Sequence, residues 1–166
     1  MMYEKWMSFS DVKKRIFYLS LAEKVFSFME NSNPDYNEGQ RVLNICWESL
    51  INIEITGDML YDLIDSKDYY DITEFAAKEK NPKIAEIWYI LVETVGYFSW
   101  KTYRDNGVKY VPQALESITD EMPMDLVNSI IKYQFMKKNE VDELFNFIEL
   151  TNENDLTREK INLLLD

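Results

Sequence analysis

Apolar residues recur at intervals of three and four positions through most of the chain. The first such stripe comprises Val12, Ile16, Leu19, Ala22, Phe26 and Met29. The next comprises Leu43, Cys46, Trp47 and Leu50. Because an α-helix turns once in about 3.6 residues, this spacing places the apolar side chains on one face. No convincing alternation of apolar and polar residues competes with it, and the stretch 108–111 is too short to found a sheet, so the pattern predicts an all-α protein.

Capping residues and prolines divide this pattern into about seven to nine helices. The break at Asn33-Pro34-Asp35 ends the first helix, since the residue before a proline disfavours helical backbone. Four predicted helices have both bounds: from a cap at Ser8 or Ser10 to about Asn31, then 38–53, 72–79 and about 82–104. A short helix begins at a cap, Thr56 or Asp58, between the second and third of these. Four more helices follow, which begin at Pro112, at Pro123, at a cap on Asn139 and at a cap on Asp155 or Thr157.

The predicted helix over about 82–104 is the candidate for the centre of the fold. Asn81 is a good cap and Pro82 suits the first helical position, which fixes where this helix begins. Its narrow polar stripe comprises Lys83, Glu86, Glu93, Tyr97, Lys101 and Arg104. A helix that is apolar around most of its circumference is typically surrounded by neighbours. We therefore expect one domain over residues 1–166, an irregular multi-helix bundle around this helix, because no linker or internal repeat divides the chain.

Cysteine content and hydropathy indicate a cytoplasmic protein. The chain has one cysteine, so it forms no internal disulfide, which fits a reducing compartment. Its first residues, Met1 to Trp6, lack the basic start and the unbroken apolar run of a secretory signal. The most apolar stretch, 84–100, is interrupted by Glu86 and Glu93, whereas a membrane span needs roughly 20 predominantly apolar residues.

The residues needed for ordinary side-chain catalysis are missing. The chain has no histidine, which excludes the Ser-His-Asp and Cys-His arrangements and the usual di-iron bundle within one chain. Its four glycines are scattered, so there is no Gly-rich phosphate loop. Cys46 falls on an apolar helix face beside Trp47, which favours a buried structural thiol over a nucleophile. We expect a protein that is not an enzyme and uses no cofactor.

Carboxylates are the only side chains that remain as candidates for catalysis. Asp58, Asp62 and Asp65 follow helical spacing, and with Asp68 nearby they could supply oxygens to Mg²⁺ or Ca²⁺. Nothing in the spacing fixes a coordination geometry, so we favour an exposed acidic helix face and predict no metal site. Glu86 and Glu93 share the polar stripe of the central helix with Lys83 and Lys101, which favours solvated carboxylates over a buried pair.

The net charge of −12 is concentrated in three segments, 58–79, 116–125 and 140–166. Such a surface repels nucleic-acid phosphates and anionic lipids and favours a basic protein partner. It also simply keeps a protein in solution, and charge alone favours that simpler explanation.

Aromatic residues interleave with acids most densely between 58 and 71. Tyrosine supplies large contact area with few rotamers to freeze, and carboxylates around it steer a basic partner. The predicted partner-binding residues are Asp58, Tyr61, Asp62, Asp65, Asp68, Tyr69, Tyr70 and Asp71. The alternative, equally open, is that Tyr61, Tyr69 and Tyr70 close the core over a loop.

Several short stretches carry a family resemblance that extends over roughly residues 10–120. They are Cys46-Trp47-Glu48, Ile55-Thr56-Gly57-Asp58-Met59-Leu60-Tyr61, Ile87-Trp88-Tyr89 and Tyr97-Phe98-Ser99-Trp100. With its length, acidity and helical pattern, the chain resembles an all-α immunity-protein family of bacterial polymorphic-toxin and contact-dependent inhibition systems. The resemblance implies a protein that binds and neutralises a cognate toxin domain made by the same cell. The leading hypothesis is therefore an immunity protein that covers or distorts the active site of a toxin, such as a basic nuclease.

Two other functions remain open beside that leading hypothesis. A helical adaptor or scaffold would bind peptides or other proteins, and it requires a concave apolar surface between helices. A carboxylate-only or magnesium-dependent enzyme requires a pocket in which several carboxylates converge.

Overall fold

The computed structural model describes residues 2–166, and within them it is all-α, with no strand. The helices are α1 (Met2–Ser8), α2 (Asp11–Phe26), α3 (Tyr36–Ser49), α4 (Gly57–Tyr61), α5 (Ile72–Lys78), α6 (Pro82–Asp105), α7 (Met124–Lys132), α8 (Lys138–Leu150) and α9 (Arg158–Leu165). Short 3-10 turns cover Gln113–Leu115 and Glu153–Asp155. The predicted fold class, a multi-helix bundle of seven to nine helices, is confirmed.

The described residues form two compact units. One consists of the residues up to Phe28 together with Asp120–Asp166, and the other of Met29–Thr119. The first unit is therefore assembled from both ends of the chain. If residues 1–166 form a single domain, the two units fold and unfold together. The single domain therefore stays a prediction.

In the first unit, α2 packs against α8 and α9. Aromatic rings form its core: the Phe17 ring lies edge-on to Trp6 and to Phe145, with centroids 5.7 and 5.5 Å apart. Lys14 is buried beneath them, its ammonium 2.8 Å from a carboxylate oxygen of Asp120 and over the Trp6 ring. The ion pair matters because an unpaired buried ammonium would be strongly destabilising.

In the second unit, α6 is the central helix and contacts α3, α4 and α5. The side chain of Asn81 caps it by accepting from the backbone N–H groups of Lys83 and Ile84, at 3.0 and 3.3 Å. At the other end Gly107 adopts φ +70°, a left-handed conformation that glycine tolerates and that ends the helix. The predicted cap at Asn81 and the predicted start at Pro82 are thus confirmed.

Some predicted helix boundaries are wrong. Ser10 caps α2, but a separate helix, α1, precedes it and ends at Ser8. Helix α3 ends at Ser49, four residues before its predicted end, and α2 ends at Phe26 rather than near Asn31. These ends continue as hydrogen-bonded turns, which periodicity does not distinguish from helix.

Two predicted helix starts also need correction. Helix α8 begins at Lys138 rather than after Asn139, because the Glu140 carboxylate accepts from the Lys137 backbone N–H at 2.6 Å and fixes an earlier start. Pro112 opens only a 3-10 turn, whereas Pro123 is followed directly by α7 as predicted.

The predicted polar stripe of α6 is exposed only in part. Tyr97 and Lys101 are buried, and the Lys101 ammonium lies 5.7 Å from the centre of the Trp100 ring. The long aliphatic stem of lysine and the aromatic body of tyrosine allow this burial, which a division into polar and apolar residues does not anticipate.

Cys46 is buried on α3, and burial raises the pKa of its thiol to about 12. The thiol is therefore protonated near neutral pH, as the interpretation of a structural cysteine requires. Within residues 2–166, no helix combines the length and the apolar character needed to cross a bilayer.

Candidate partner-binding site

Helix α4, which opens the predicted site, is held closely against α6. The Thr56 hydroxyl caps α4 by accepting from the Met59 backbone N–H at 3.1 Å. Gly57 follows, and a Cβ atom at this position would lie 2.5 Å from Cδ1 of Tyr103. The Ser99 hydroxyl donates to the Gly57 carbonyl at 2.8 Å. The site therefore starts from a helix whose position depends on the absence of a side chain at residue 57.

The acidic residues of α4 and the turn after it are exposed. Helix α4 ends at Tyr61, so Asp62 and Asp65 lie in the following turns rather than on a continuous helix. The Tyr61 hydroxyl donates to Asp65 Oδ2 at 2.7 Å, and the Tyr103 hydroxyl donates to the Asp58 carboxylate. Burial and the bond to Asp65 raise the pKa of Tyr61 to about 12, so this phenol stays a neutral donor at neutral pH.

The segment 66–71 is fixed at both ends by Asp71. This residue is buried, and its two carboxylate oxygens accept from the backbone N–H groups of Ser66 and Glu74, at 2.8 and 3.0 Å. The second bond caps α5. Asp71 thus shapes the segment from beneath, while the other seven predicted residues lie closer to the surface.

Tyr69 and Tyr70 are presented differently by this segment. Tyr69 is 75% exposed and adopts φ 55°, a left-handed conformation unusual for a tyrosine. The Tyr70 hydroxyl donates to Asp35 Oδ1 at 3.2 Å, and its ring packs edge-on to Phe75 with centroids 4.9 Å apart. Tyr70 therefore covers part of the core while remaining exposed, whereas Tyr69 lies outside the core.

A groove of about 630 Å³ lies between α3 and the stretch from residue 52 to residue 70. Its lining residues are Glu38, Arg41, Ile45, Glu48, Asn52, Glu54, Ile55, Met59, Asp62, Leu63, Ser66, Asp68 and Tyr70. Three of the predicted residues, Asp62, Asp68 and Tyr70, are brought together here. Asp58, Tyr61, Asp65 and Tyr69 lie on the same stretch but do not line the groove, and Asp71 is buried.

The groove is acidic at its edges. Among the described residues, Arg41 is the one basic side chain that lines it, and Arg41 is neutralised by Glu38, with nitrogen–oxygen distances of 2.9 and 2.5 Å. This hydrogen-bonded pair raises the pKa of Arg41. The remaining four acidic lining residues are Glu48, Glu54, Asp62 and Asp68. In the described part of the chain none of the four forms a salt bridge, so the groove keeps a negative potential.

Among residues 2–166, no three cysteine or carboxylate side chains are close enough together to hold a metal ion.

Ten of the thirteen residues that line the groove were not among the predicted partner-binding residues. Glu38, Arg41 and Glu48 come from α3, and Glu54 comes from the turn after it. Ile51 and Ile53 continue the spacing of the apolar stripe of α3, four residues after Trp47 and three after Leu50. Helical spacing therefore places them on the buried face, and the end of α3 at Ser49 leaves them outside it.

One comparison with known proteins identifies a relationship. The sequence model of the family described as Immunity protein Imm6 matches residues 13–133, more than half of the chain and all of the second unit. Comparisons with curated proteins and with solved structures give no significant match.

Proposed function

The chain belongs to the Imm6 family of immunity proteins, and from this premise we propose that it neutralises a cognate toxin domain by binding it directly. The family match carries the proposal, because an immunity protein acts against a toxin. The protein then works as a stoichiometric inhibitor, without catalysis by its own side chains and without a cofactor.

We place the contact surface on the stretch 58–70. Exposed Tyr69 and Tyr70 offer contact area, and the Asp71 carboxylate and the Tyr61–Asp65 hydrogen bond hold the backbone and a ring in place before binding. Pre-organised aromatic residues lower the entropy lost on association. The contact residues are Asp58, Tyr61, Asp62, Asp65, Asp68, Tyr69 and Tyr70, with Asp71 positioning them.

We expect the partner to be a basic toxin domain, such as a nuclease. A negative surface repels phosphates and attracts the basic surface with which a nuclease binds its substrate. Inhibition by covering that surface requires no further chemistry.

Capture and protection together test the function. Tagged protein is incubated with lysate of the source organism at low and moderate salt, and the captured polypeptides are identified by mass spectrometry. The captured toxin is then expressed in a host with and without this protein. We expect one stoichiometric toxin that resists moderate salt and a host that survives only when both are made. Many substoichiometric partners, with no protection, would contradict the proposal.

Charge reversal tests the surface. We expect Asp62→Lys with Asp65→Lys to slow association with that toxin by about tenfold at low salt, and less at moderate salt, while dissociation changes less. The matched control is Glu143→Lys with Glu159→Lys, two exposed acids on α8 and α9, which changes the net charge equally. Association rates are measured by stopped-flow fluorescence. An unchanged association rate for the Asp62→Lys, Asp65→Lys variant would contradict the assignment of this surface.

The groove also supports a second candidate, a helical adaptor for peptides. It is concave, and Ile45, Ile55 and Leu63 give it apolar area, as that hypothesis requires. An adaptor predicts micromolar binding of many peptides and no protection from any toxin, so the protection experiment separates the two.

A further inference from the structure

Two isoleucines are almost fully exposed in the turn between α3 and α4. Ile51 is 87% and Ile53 97% exposed. The turn that carries them is ordered by hydrogen bonds: the Asn52 backbone N–H donates to the Glu48 carbonyl at 2.9 Å, and the Asn52 side chain donates to the Glu48 carboxylate at 3.0 Å. The Asn52 Oδ1 atom accepts a hydrogen bond from the Glu54 backbone N–H at 3.0 Å. A hydrogen-bonded turn therefore holds both apolar side chains in water.

The two isoleucines lie next to residues that line the groove. Asn52 and Glu54, their neighbours in sequence, both line it. The groove combines an apolar floor, formed by Ile55 and Leu63 among others, with four carboxylates that have no basic partner in the described residues. Exposed apolar side chains next to an acidic groove match the composition of a protein interface, in which apolar anchors are bordered by polar and charged contacts.

One kind of occupant matches both properties of the groove. Lysine and arginine carry a long apolar stem and a cationic head, so the stem can cover the floor while the head reaches the carboxylates. The exposed ring of Tyr70 adds a face on which a guanidinium can stack. An acidic segment would be repelled by the carboxylates. A wholly apolar segment would remove water from the carboxylates without giving them a basic partner.

We propose that this groove takes an extended lysine- or arginine-bearing segment of the toxin, and that Ile51 and Ile53 anchor an apolar patch beside that segment. The inference rests on the proposed function and extends its interface from the stretch 58–70 to α3 and the turn 50–56. It also specifies the partner: a basic segment bordered by apolar residues, rather than a uniformly basic surface.

Removal of the anchors tests the proposal in complex with the captured toxin. Ile51→Ser with Ile53→Ser should speed dissociation about tenfold or more, with association nearly unchanged, because apolar anchors act after encounter. The matched control, Leu150→Ser with Leu163→Ser, removes two apolar side chains from the other unit that are also largely exposed, at 83% and 76%, and should leave the dissociation rate unchanged. Both variants should keep the wild-type melting temperature. Wild-type dissociation for the isoleucine variant would overturn the proposal.

A toxin-free measurement separates this proposal from the function on which it rests. A blocked tetra-arginine peptide is titrated into ¹⁵N-labelled protein, and amide shifts are followed by NMR. We expect saturable shifts at Ile45, Glu54 and Tyr70, and little change around α8 and α9, a region that is also acidic. Shifts spread over every acidic surface would overturn the groove as a specific site. Failure of the wild-type protein to bind any toxin counts against the proposed function, whereas toxin binding with unaffected groove variants counts against the groove alone.

Discussion

Single residues decide how the site is assembled. Gly57 lets α4 lie against Tyr103, and the buried Asp71 carboxylate ties two backbone segments together. Cys46 shows the opposite case, since it is a chemically reactive residue type held inert by burial. In each case the surroundings, rather than the residue type, determine the role.

Gly57→Ala should destabilise the protein by about 1–3 kcal/mol, because the new methyl group would overlap the Tyr103 ring, which is anchored by its bond to Asp58. Gly96→Ala on α6 is the control. Its Cβ would meet side chains at 3.5 Å and beyond, and alanine favours helix, so stability should stay equal or rise by up to about 1 kcal/mol. Urea unfolding compares the two, and equal costs would refute the close approach at Gly57.

Alkaline pH should weaken the fold through Cys46. The unfolded chain loses the thiol proton above pH 9.0, whereas the folded chain holds it to about pH 12. Between these values the unfolded state binds fewer protons, so the free energy of unfolding falls as pH rises, and the full contribution is present below pH 9.0. Cys46→Ala should show a shallower decline between about pH 9 and 11 in denaturant unfolding. Tyrosines such as Tyr61 titrate in both proteins, so parallel slopes would refute the assignment.

At the scale of the element, local sequence signals located most helices. Thr56, Asn81 and Thr157 cap their helices as predicted, because capping depends on a side chain and a backbone group only two or three residues apart. The predicted acidic helix face over 58–65 ends early, since α4 stops at Tyr61. Asp71 holds the next segment, 66–71, through its bond to the Ser66 backbone N–H, which sequence spacing does not reveal.

Asp71→Ala should destabilise the protein by about 2–3 kcal/mol, because it leaves the Ser66 and Glu74 backbone donors without their acceptor. It should also weaken toxin binding, since the segment carrying Tyr69 and Tyr70 would lose its fixed shape. Asp68→Ala, an exposed change in the same segment, should leave stability unchanged. Thermal unfolding tests the first point, and equal melting temperatures for the two variants would contradict it.

At the scale of the whole molecule, the two units differ in how the chain builds them. The second is continuous from Met29 to Thr119, whereas the first joins segments from both ends of the chain. Its core depends on contacts such as the Lys14–Asp120 ion pair, whose members are 106 positions apart. We expect the units to unfold together, as the prediction of one domain requires.

Hydrogen exchange during urea unfolding tests this cooperativity. Peptides from α2 and from α6 report on the first and second unit, and both should lose protection at the same denaturant concentration. Two separated midpoints would show that the units are independent domains.

The sequence by itself determined the helical class, most helix starts, the inert cysteine and the resemblance that the family match confirmed. These follow from periodicity, capping and composition, which act over a few residues. Only the tertiary structure brought Glu38 and Arg41 beside Asp62 and Asp68, buried Lys101, and left Ile51 and Ile53 in water. Burial and proximity depend on which distant segments pack together. Helical spacing shows which face of a helix is apolar, but not which other segment packs against that face.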